Sequence, residues 1–185
     1  MNLIIAGIDE AGRGAWAGPI VAGACILSSG FPVEILSDSK KITAKQRERL
    51  FSLIASKCEH GVGYAWVEEI ERLGLIKANN LAMQRAVDNL PAKVDHLLVD
   101  GKDKLNFALP HEAIIRGDEK IPAISAASIL AKVSRDQYMR ELEKNEKYFF
   151  AKHKGYGTSL HREQLKKYGP SKWHRKKFRP IALFK

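Results

Sequence analysis

The sequence predicts an α/β fold, with a mixed central sheet of about five strands flanked by helices and a basic helical segment at the C-terminus. Three observations carry this. Short apolar runs of strand length alternate with longer stretches of helical period. The chain has 185 residues and is 45% apolar, enough to bury one full core. No internal repeat divides it, so the expected organisation is one α/β unit over 1–145 with residues 146–185 packed on it.

The elements follow in order. Residues 3–9 (LIIAGID) read as a buried strand closing on Asp9 and Glu10, and 20–27 (IVAGACIL) as a second strand after the Gly18-Pro19 turn. Thr43 to Gln46 is a capping box, and Leu50, Ile54 and Cys58 then recur every four residues along one helical face. Residues 61–67 alternate as a third strand, 68–73 and 76–90 are helical, 95–99 is a strand ending at Asp100-Gly101, and 111–116 supplies a fifth. From Ser125 the run SAASILAKVSRDQYMRELEK is strongly helical, and its small residues 125–128 read as capping and close packing. The order is β-β-α-β-α-α-β-β-α-α, which makes a mixed sheet between helices.

Charge is distributed unevenly. The net charge is +10, and residues 150–185 hold eleven Lys and Arg against the single acid Glu163, so residues 1–149 are neutral overall. Six aromatics, Phe150, Tyr156, Tyr168, Trp173, Phe178 and Phe184, interleave these cations. That mixture offers charges to phosphates and flat faces to sugars or bases, which points to a polyanionic partner. No segment reaches the ~20 apolar residues of a membrane span, so a cytoplasmic protein without a membrane partner is expected. Cys25 and Cys58 form no CxxC pair, which makes them reduced core thiols rather than zinc ligands or a disulfide framework.

The acids are the candidate site. Asp9 and Glu10 close the first strand and Asp100 the fourth, and strand ends are where sheet proteins build sites. Asp118, in RGDEKIPAISAAS, is a fourth candidate. Read alone, Asp100-Gly101 is also an ordinary turn and Asp118 an ordinary loop acid. Adjacent carboxylates after a buried run repel one another and want a cation. Hard oxygen donors with no neighbouring His suit Mg²⁺ or Mn²⁺.

Taken together, the motifs resemble those of bacterial ribonuclease HII, the type 2 ribonuclease H family: GIDEAGRG, SDSKK at 37–41, LLVDG at 97–101, IPAISAASILAKVSRD at 121–136, HKGYGTSLH at 153–161 and YGPSKWHRKKF at 168–178. The resemblance implies a ribonuclease H-like fold and an endoribonuclease that uses two divalent ions, Mn²⁺ or Mg²⁺. Its substrates would be RNA–DNA hybrids and DNA duplexes containing ribonucleotides, cut 5′ to the ribonucleotide to leave 5′-phosphate and 3′-hydroxyl ends. By motif position it implies Asp9, Glu10, Asp100 and Asp118 as catalytic metal ligands. It further implies that Gly12, Arg13 and Gly14 read the ribose 2′-OH together with Tyr156. A 2′-OH distinguishes RNA from DNA whatever the base. Lys40 and Lys41 are expected to contact a phosphate, although the surrounding serines also suit a turn. His161 and His174 match family positions but take no catalytic role here. Ala15 and Trp16 follow the GRG loop where the family usually has Pro. A monomer is expected. Two other readings remain open: a non-catalytic nucleic-acid-binding factor, which leaves the clustered acids without a purpose, and another nuclease or integrase of the same fold.

Overall fold

A five-stranded mixed sheet organises the computed structural model, which describes residues 3–36, 42–102, 106–143 and 147–184. Its central strand β1 (Ile5–Ala11) pairs antiparallel with β2 (Ile20–Ile26), and β2 pairs antiparallel with the edge strand β3 (Glu59–Ala65). On the other side β1 runs parallel to β4 (His96–Asp100), and β4 runs parallel to β5 (His111–Ile114). The spatial order is β3-β2-β1-β4-β5. All five expected strands are present, and the fold class is the one the sequence predicts.

Helices cover both faces. On one side lie α1 (Ala44–Lys57) and the long α5 (Pro122–Glu143), which bury Cys25, Ile54, Cys58, Ala127 and Leu130 together. On the other side α3 (Leu75–Asp88) follows the short α2 (Val67–Leu73) and packs Ala78, Ala82, Met83 and Ala86 against Ile8, Ala22, Leu97 and Val99. Glycines set how close these helices come. A Cβ on Gly7 would lie 2.2 Å from the backbone of Ala123, and one on Gly23 would lie 2.4 Å from the carbonyl of Ala127, so α5 rests directly on the backbones of β1 and β2. The capping box forms as the sequence predicts: the Gln46 N–H donates to Thr43 Oγ1 (3.3 Å) and the Thr43 N–H to Gln46 Oε1 (2.8 Å).

Several boundaries differ, for tertiary reasons. Strand β1 does not stop at the acids; pairing of Glu10 with Ala22 and Ala11 with Val21 carries it through both. Strand β3 starts at Glu59, two residues before the expected start, because its ladder with β2 begins at Ile26. Helix α5 begins at Pro122, a residue suited to a first helical position. Ser125 and Ser128 therefore lie inside the helix and do not cap it; the Ser125 hydroxyl donates to the Leu36 carbonyl at 3.0 Å. The single-turn α4 (Gly117–Lys120) sits between β5 and α5.

The C-terminal part comprises α6 (Phe150–His153), α7 (Ser159–Tyr168) and α8 (Arg179–Ala182). Tyr148, Phe150, Leu165 and Ile181 pack against Ala17, Met139 and Leu142 in a third buried cluster. Among the described residues no helix is long and apolar enough to cross a membrane. Cys25 and Cys58 are buried free thiols.

Candidate active site

The parallel ladder from Ile5 with His96 to Ile8 with Val99 brings Asp9 and Asp100 next to each other, both on the face that α5 covers. Asp9 is only 7% exposed. Its Oδ1 accepts the Glu10 N–H at 2.7 Å, and the Ser128 hydroxyl of α5 also hydrogen-bonds its carboxylate. Burial raises the Asp9 carboxyl well above the usual carboxylate range, and the charges of Glu10 and then Asp100 push the same way, against the Ser128 and main-chain hydrogen bonds. Asp100 is held at its other edge, where its Oδ1 accepts the N–H groups of Gly117 (2.6 Å) and Asp118 (3.3 Å) at the start of α4. Asp9, Glu10 and Asp100 thus form one electrostatic group. Asp118 joins it through its main-chain N–H, and the residue also lines a hollow of about 130 Å³ with Leu36 and Ser125. Among the described residues no three His, Cys, Asp or Glu side chains already stand as a set able to hold a metal.

Glu10 opens into a cleft of about 440 Å³. Gly12, Arg13 and Gly14 form one wall, Tyr156 stands beside them, and Ser128 and Lys132 of α5 and Arg47 of α1 are also part of the lining. Arg13 Nη1 lies 3.7 Å from Glu10 Oε1. Tyr156 is 36% exposed, with Lys132 Nζ at 5.9 Å and Arg135 Cζ at 5.3 Å from its ring centre. Lys40 and Lys41 lie outside the described residues.

Two arginines that the sequence reading passed over build the wall. Arg175 is fully buried and donates to the carbonyls of Gly12 (2.8 Å), Arg13 (2.9 Å) and Gly18 (2.9 and 3.0 Å). Arg135, also fully buried, donates to Pro19 (3.0 Å) and Ala17 (3.1 Å). Burial lowers the pKa of both, that of Arg175 to about 9, with Arg135 adding to the effect on Arg175; Arg175 therefore stays largely charged at neutral pH. In a trans peptide the carbonyl of one residue and the N–H of the next point in opposite directions. No peptide bond is cis among the described residues, so with the Gly12 and Arg13 carbonyls turned in toward Arg175, the N–H groups of Arg13 and Gly14 point away from it.

The tyrosine loop is tied to the same wall. The Trp16 N–H donates to Gly155 (2.8 Å), the Arg175 N–H to Trp16 (2.8 Å), and the Trp16 ring fills the space that a side chain at Gly157 would need. Ala15 is fully buried, so the two residues that stand where the family usually begins with Pro are both packed in place.

Of the residues the sequence reading missed, Arg135 had a signal. It falls at the fourth-residue spacing of Ala127, Ala131 and Met139, a stripe that is otherwise apolar and fully buried. Ser128 lies inside a small-residue run that reads as capping and close packing, and Arg175 is hidden in a basic cluster.

A family model described as Ribonuclease HII matches residues 6–181 of this chain. The chain is similar to the ribonuclease HII of Coxiella burnetii (strain Dugway 5J108-111), 45% identical over 186 residues that cover all of this chain and 92% of that protein. It is also similar to the ribonuclease HII of Chlamydia abortus, 48% identical over 96% of this chain and 85% of that one. Among solved structures, ribonuclease H2 from Pyrococcus horikoshii OT3 superposes with a TM-score of 0.81 at 26% identity, covering 97% of this chain and 96% of the other.

Proposed function

Because the chain belongs to the ribonuclease HII family, we propose that Asp9, Glu10, Asp100 and Asp118 are the metal-holding carboxylates of an endoribonuclease acting on RNA–DNA hybrids, with Gly12, Arg13, Gly14 and Tyr156 selecting the ribonucleotide. The activity is that of a ribonuclease H. We extend it to incision 5′ of ribonucleotides embedded in duplex DNA, leaving 5′-phosphate and 3′-hydroxyl ends.

One observation carries the assignment: the sheet register sets a nearly buried Asp9 carboxylate beside Asp100 and Glu10, whose charges raise its pKa, and Glu10 lines a cleft that also holds Arg13, Arg47 and Lys132. Carboxylates that repel one another offer hard oxygen donors, and a divalent cation such as Mg²⁺ or Mn²⁺ drawing them together would relieve that repulsion. When bound, two such ions supply an activated water and neutralise charge at the scissile phosphate and the leaving 3′-oxygen. The chain's own residues do the rest. Ser128 and the Glu10 N–H orient Asp9, and the N–H groups of Gly117 and Asp118 orient Asp100. Arg13, Arg47 and Lys132 offer cations to the phosphates of a strand in the cleft. The outward N–H groups of Arg13 and Gly14 suit a 2′-OH, which can accept from them, and the half-exposed Tyr156 ring suits a sugar face. We also propose that residues 146–185 extend the unit at 1–145, a reading supported by the reach of Arg175 into the GRG loop, and that the protein acts as a monomer.

The test is cleavage of a DNA duplex carrying one ribonucleotide, an RNA–DNA hybrid and an all-DNA duplex, with Mg²⁺, with Mn²⁺ and with chelator. The first two should be cut only with metal and the third not at all. Asp9→Asn, Glu10→Gln and Asp100→Asn should each lose at least ~100-fold in rate while still binding duplex. Wild-type turnover in a folded variant would remove that residue from the site.

A further inference from the structure

Beside the cleft, His153, His161 and His174 lie buried against one another, and the catalytic reading uses none of them. Their hydrogen bonds fix where each proton sits. His161 Nδ1 is 3.0 Å from the Tyr156 carbonyl, and a carbonyl only accepts, so Nδ1 carries the hydrogen. The Nε2 of a neutral His161 is then a lone pair, and it faces His174 Nε2 at 2.9 Å, which must be the donor. His174 Nδ1 in turn accepts the Ser171 N–H at 2.9 Å. Donation therefore runs one way, from Ser171 through His174 and His161 to Tyr156, with both rings neutral and every nitrogen paired. Burial agrees with neutrality, lowering His161 to about 4 and His174 to about 3.

His153 braces the neighbouring residues. Its ring stacks on His161 with 4.2 Å between centres and 13° between planes, its Nε2 donates to the Tyr148 carbonyl, and its Nδ1 accepts the Gly155 N–H. The Tyr156 peptide is thus held from below while its ring stands in the cleft.

We propose that His161 is the positioning residue for Tyr156: a neutral imidazole, locked in its Nδ1–H tautomer by His174, sets the tyrosine main chain so that the ring meets the sugar of a ribonucleotide. This rests on the reading that Tyr156 selects the ribonucleotide. A lone imidazole on the carbonyl could exchange its two tautomers, and only one of them donates. The second ring removes that freedom, because a donor on Nε2 obliges the proton to sit on Nδ1.

Amide isosteres separate the two nitrogens. In His161→Asn the side-chain N–H overlies Nδ1 and keeps the bond to Tyr156, whereas in His161→Gln the amide reaches the Nε2 position and the Tyr156 carbonyl loses its side-chain donor. The readout is kcat/KM on a duplex with one ribonucleotide divided by kcat/KM on an all-RNA hybrid. His161→Gln should lower this ratio roughly three- to tenfold, the range one hydrogen bond allows. His161→Asn should hold it within about twofold of wild type. A merely structural histidine would depress both substrates alike and leave the ratio unmoved. An unchanged ratio in His161→Gln, or an equal fall in His161→Asn, overturns the proposal.

Tyr156→Ala is the control. If it leaves the ratio unchanged, the reading of Tyr156 fails as well; if it lowers the ratio while His161→Gln does not, only the link through His161 fails. Should the variants not fold, long-range ¹H–¹⁵N spectra of the wild-type imidazoles decide. His161 must show a protonated Nδ1 and a bare Nε2 at neutral pH, and the opposite tautomer overturns the proposal.

Discussion

The two glycines of the GRG loop are alike in sequence, and exchanging each for alanine should separate folding from substrate access. Gly12 has φ +87°, a left-handed backbone that costs a residue with a Cβ ~1–2 kcal/mol. A Cβ there would also lie 1.9 Å from Arg135 Nε, so the guanidinium would have to leave its bonds to Pro19 and Ala17. Each hydrogen bond from a charged donor contributes ~1.5–3 kcal/mol. Gly12→Ala should therefore lose roughly 4–8 kcal/mol, a large part of the ~5–15 kcal/mol that holds a domain folded. Gly14 has no positive φ, and a Cβ on it meets nothing within 4 Å, so its replacement should change stability by less than ~0.5 kcal/mol. On the proposed reading, its methyl would stand in the cleft where a nucleic-acid strand approaches. The assay pairs urea unfolding, followed by circular dichroism, with cleavage of a single-ribonucleotide duplex. Gly12→Ala should fail in the first measurement, and Gly14→Ala should pass it while losing activity in the second. A Gly12→Ala protein with the wild-type midpoint would refute the Arg135 argument, and full activity in Gly14→Ala would show that no strand closes on that wall.

The buried acids make a thermal prediction. With its pKa raised in the folded state, Asp9 favours folding at low pH, and that contribution is lost as the pH rises through the folded value; charged Asp9 then opposes folding in the ion-free protein. Asp9→Asn should melt higher than wild type without metal. It should also lose the wild type's gain on adding Mg²⁺ or Mn²⁺, a gain of ~2.7 kcal/mol at a hundred times Kd. An equal metal-induced shift in both proteins would remove Asp9 from the ion site. The histidines act in the acid range. Their folded pKa values lie below the unfolded ~6.5, so stability is full above that value and falls with pH until about 4 for His161 and about 3 for His174, by at most ~3–5 kcal/mol per ring. Urea midpoints at pH 6.5, 5 and 4 measure the fall. His174→Gln should flatten it, and an identical slope would show that His174 titrates normally.

Much of the fold was legible because period and punctuation act locally. The apolar runs gave all five strands, and Thr43 with Gln46 gave the start of α1 through a contact three residues long. What escaped depended on partners distant in the chain. Asp9 and Glu10 look like a strand end until Ala22 and Val21 pair beyond them. Ser128 reads as helix packing until α5 is laid across Gly7 and Gly23, which brings its hydroxyl to Asp9. The tail's charge read as a footprint for a polyanion, yet Arg175 turns inward to main-chain carbonyls that no sequence pattern marks. Asp118 keeps its place beside Asp100 through an amide, a contact that its own side-chain chemistry could not have announced.

The bond between Arg175 and Gly12 spans 163 residues and has a consequence for the order in which the protein is made. The acids at 9, 10, 100 and 118 leave the ribosome well before residue 175, and a contact this remote in sequence closes late because chain entropy opposes it until the rest is folded. A chain interrupted short of that arginine would carry its carboxylates beside a GRG loop that lacks these anchoring bonds. On the proposed reading of that loop, synthesis itself withholds ribonucleotide selection from unfinished copies until Arg175 has been added and has reached Gly12.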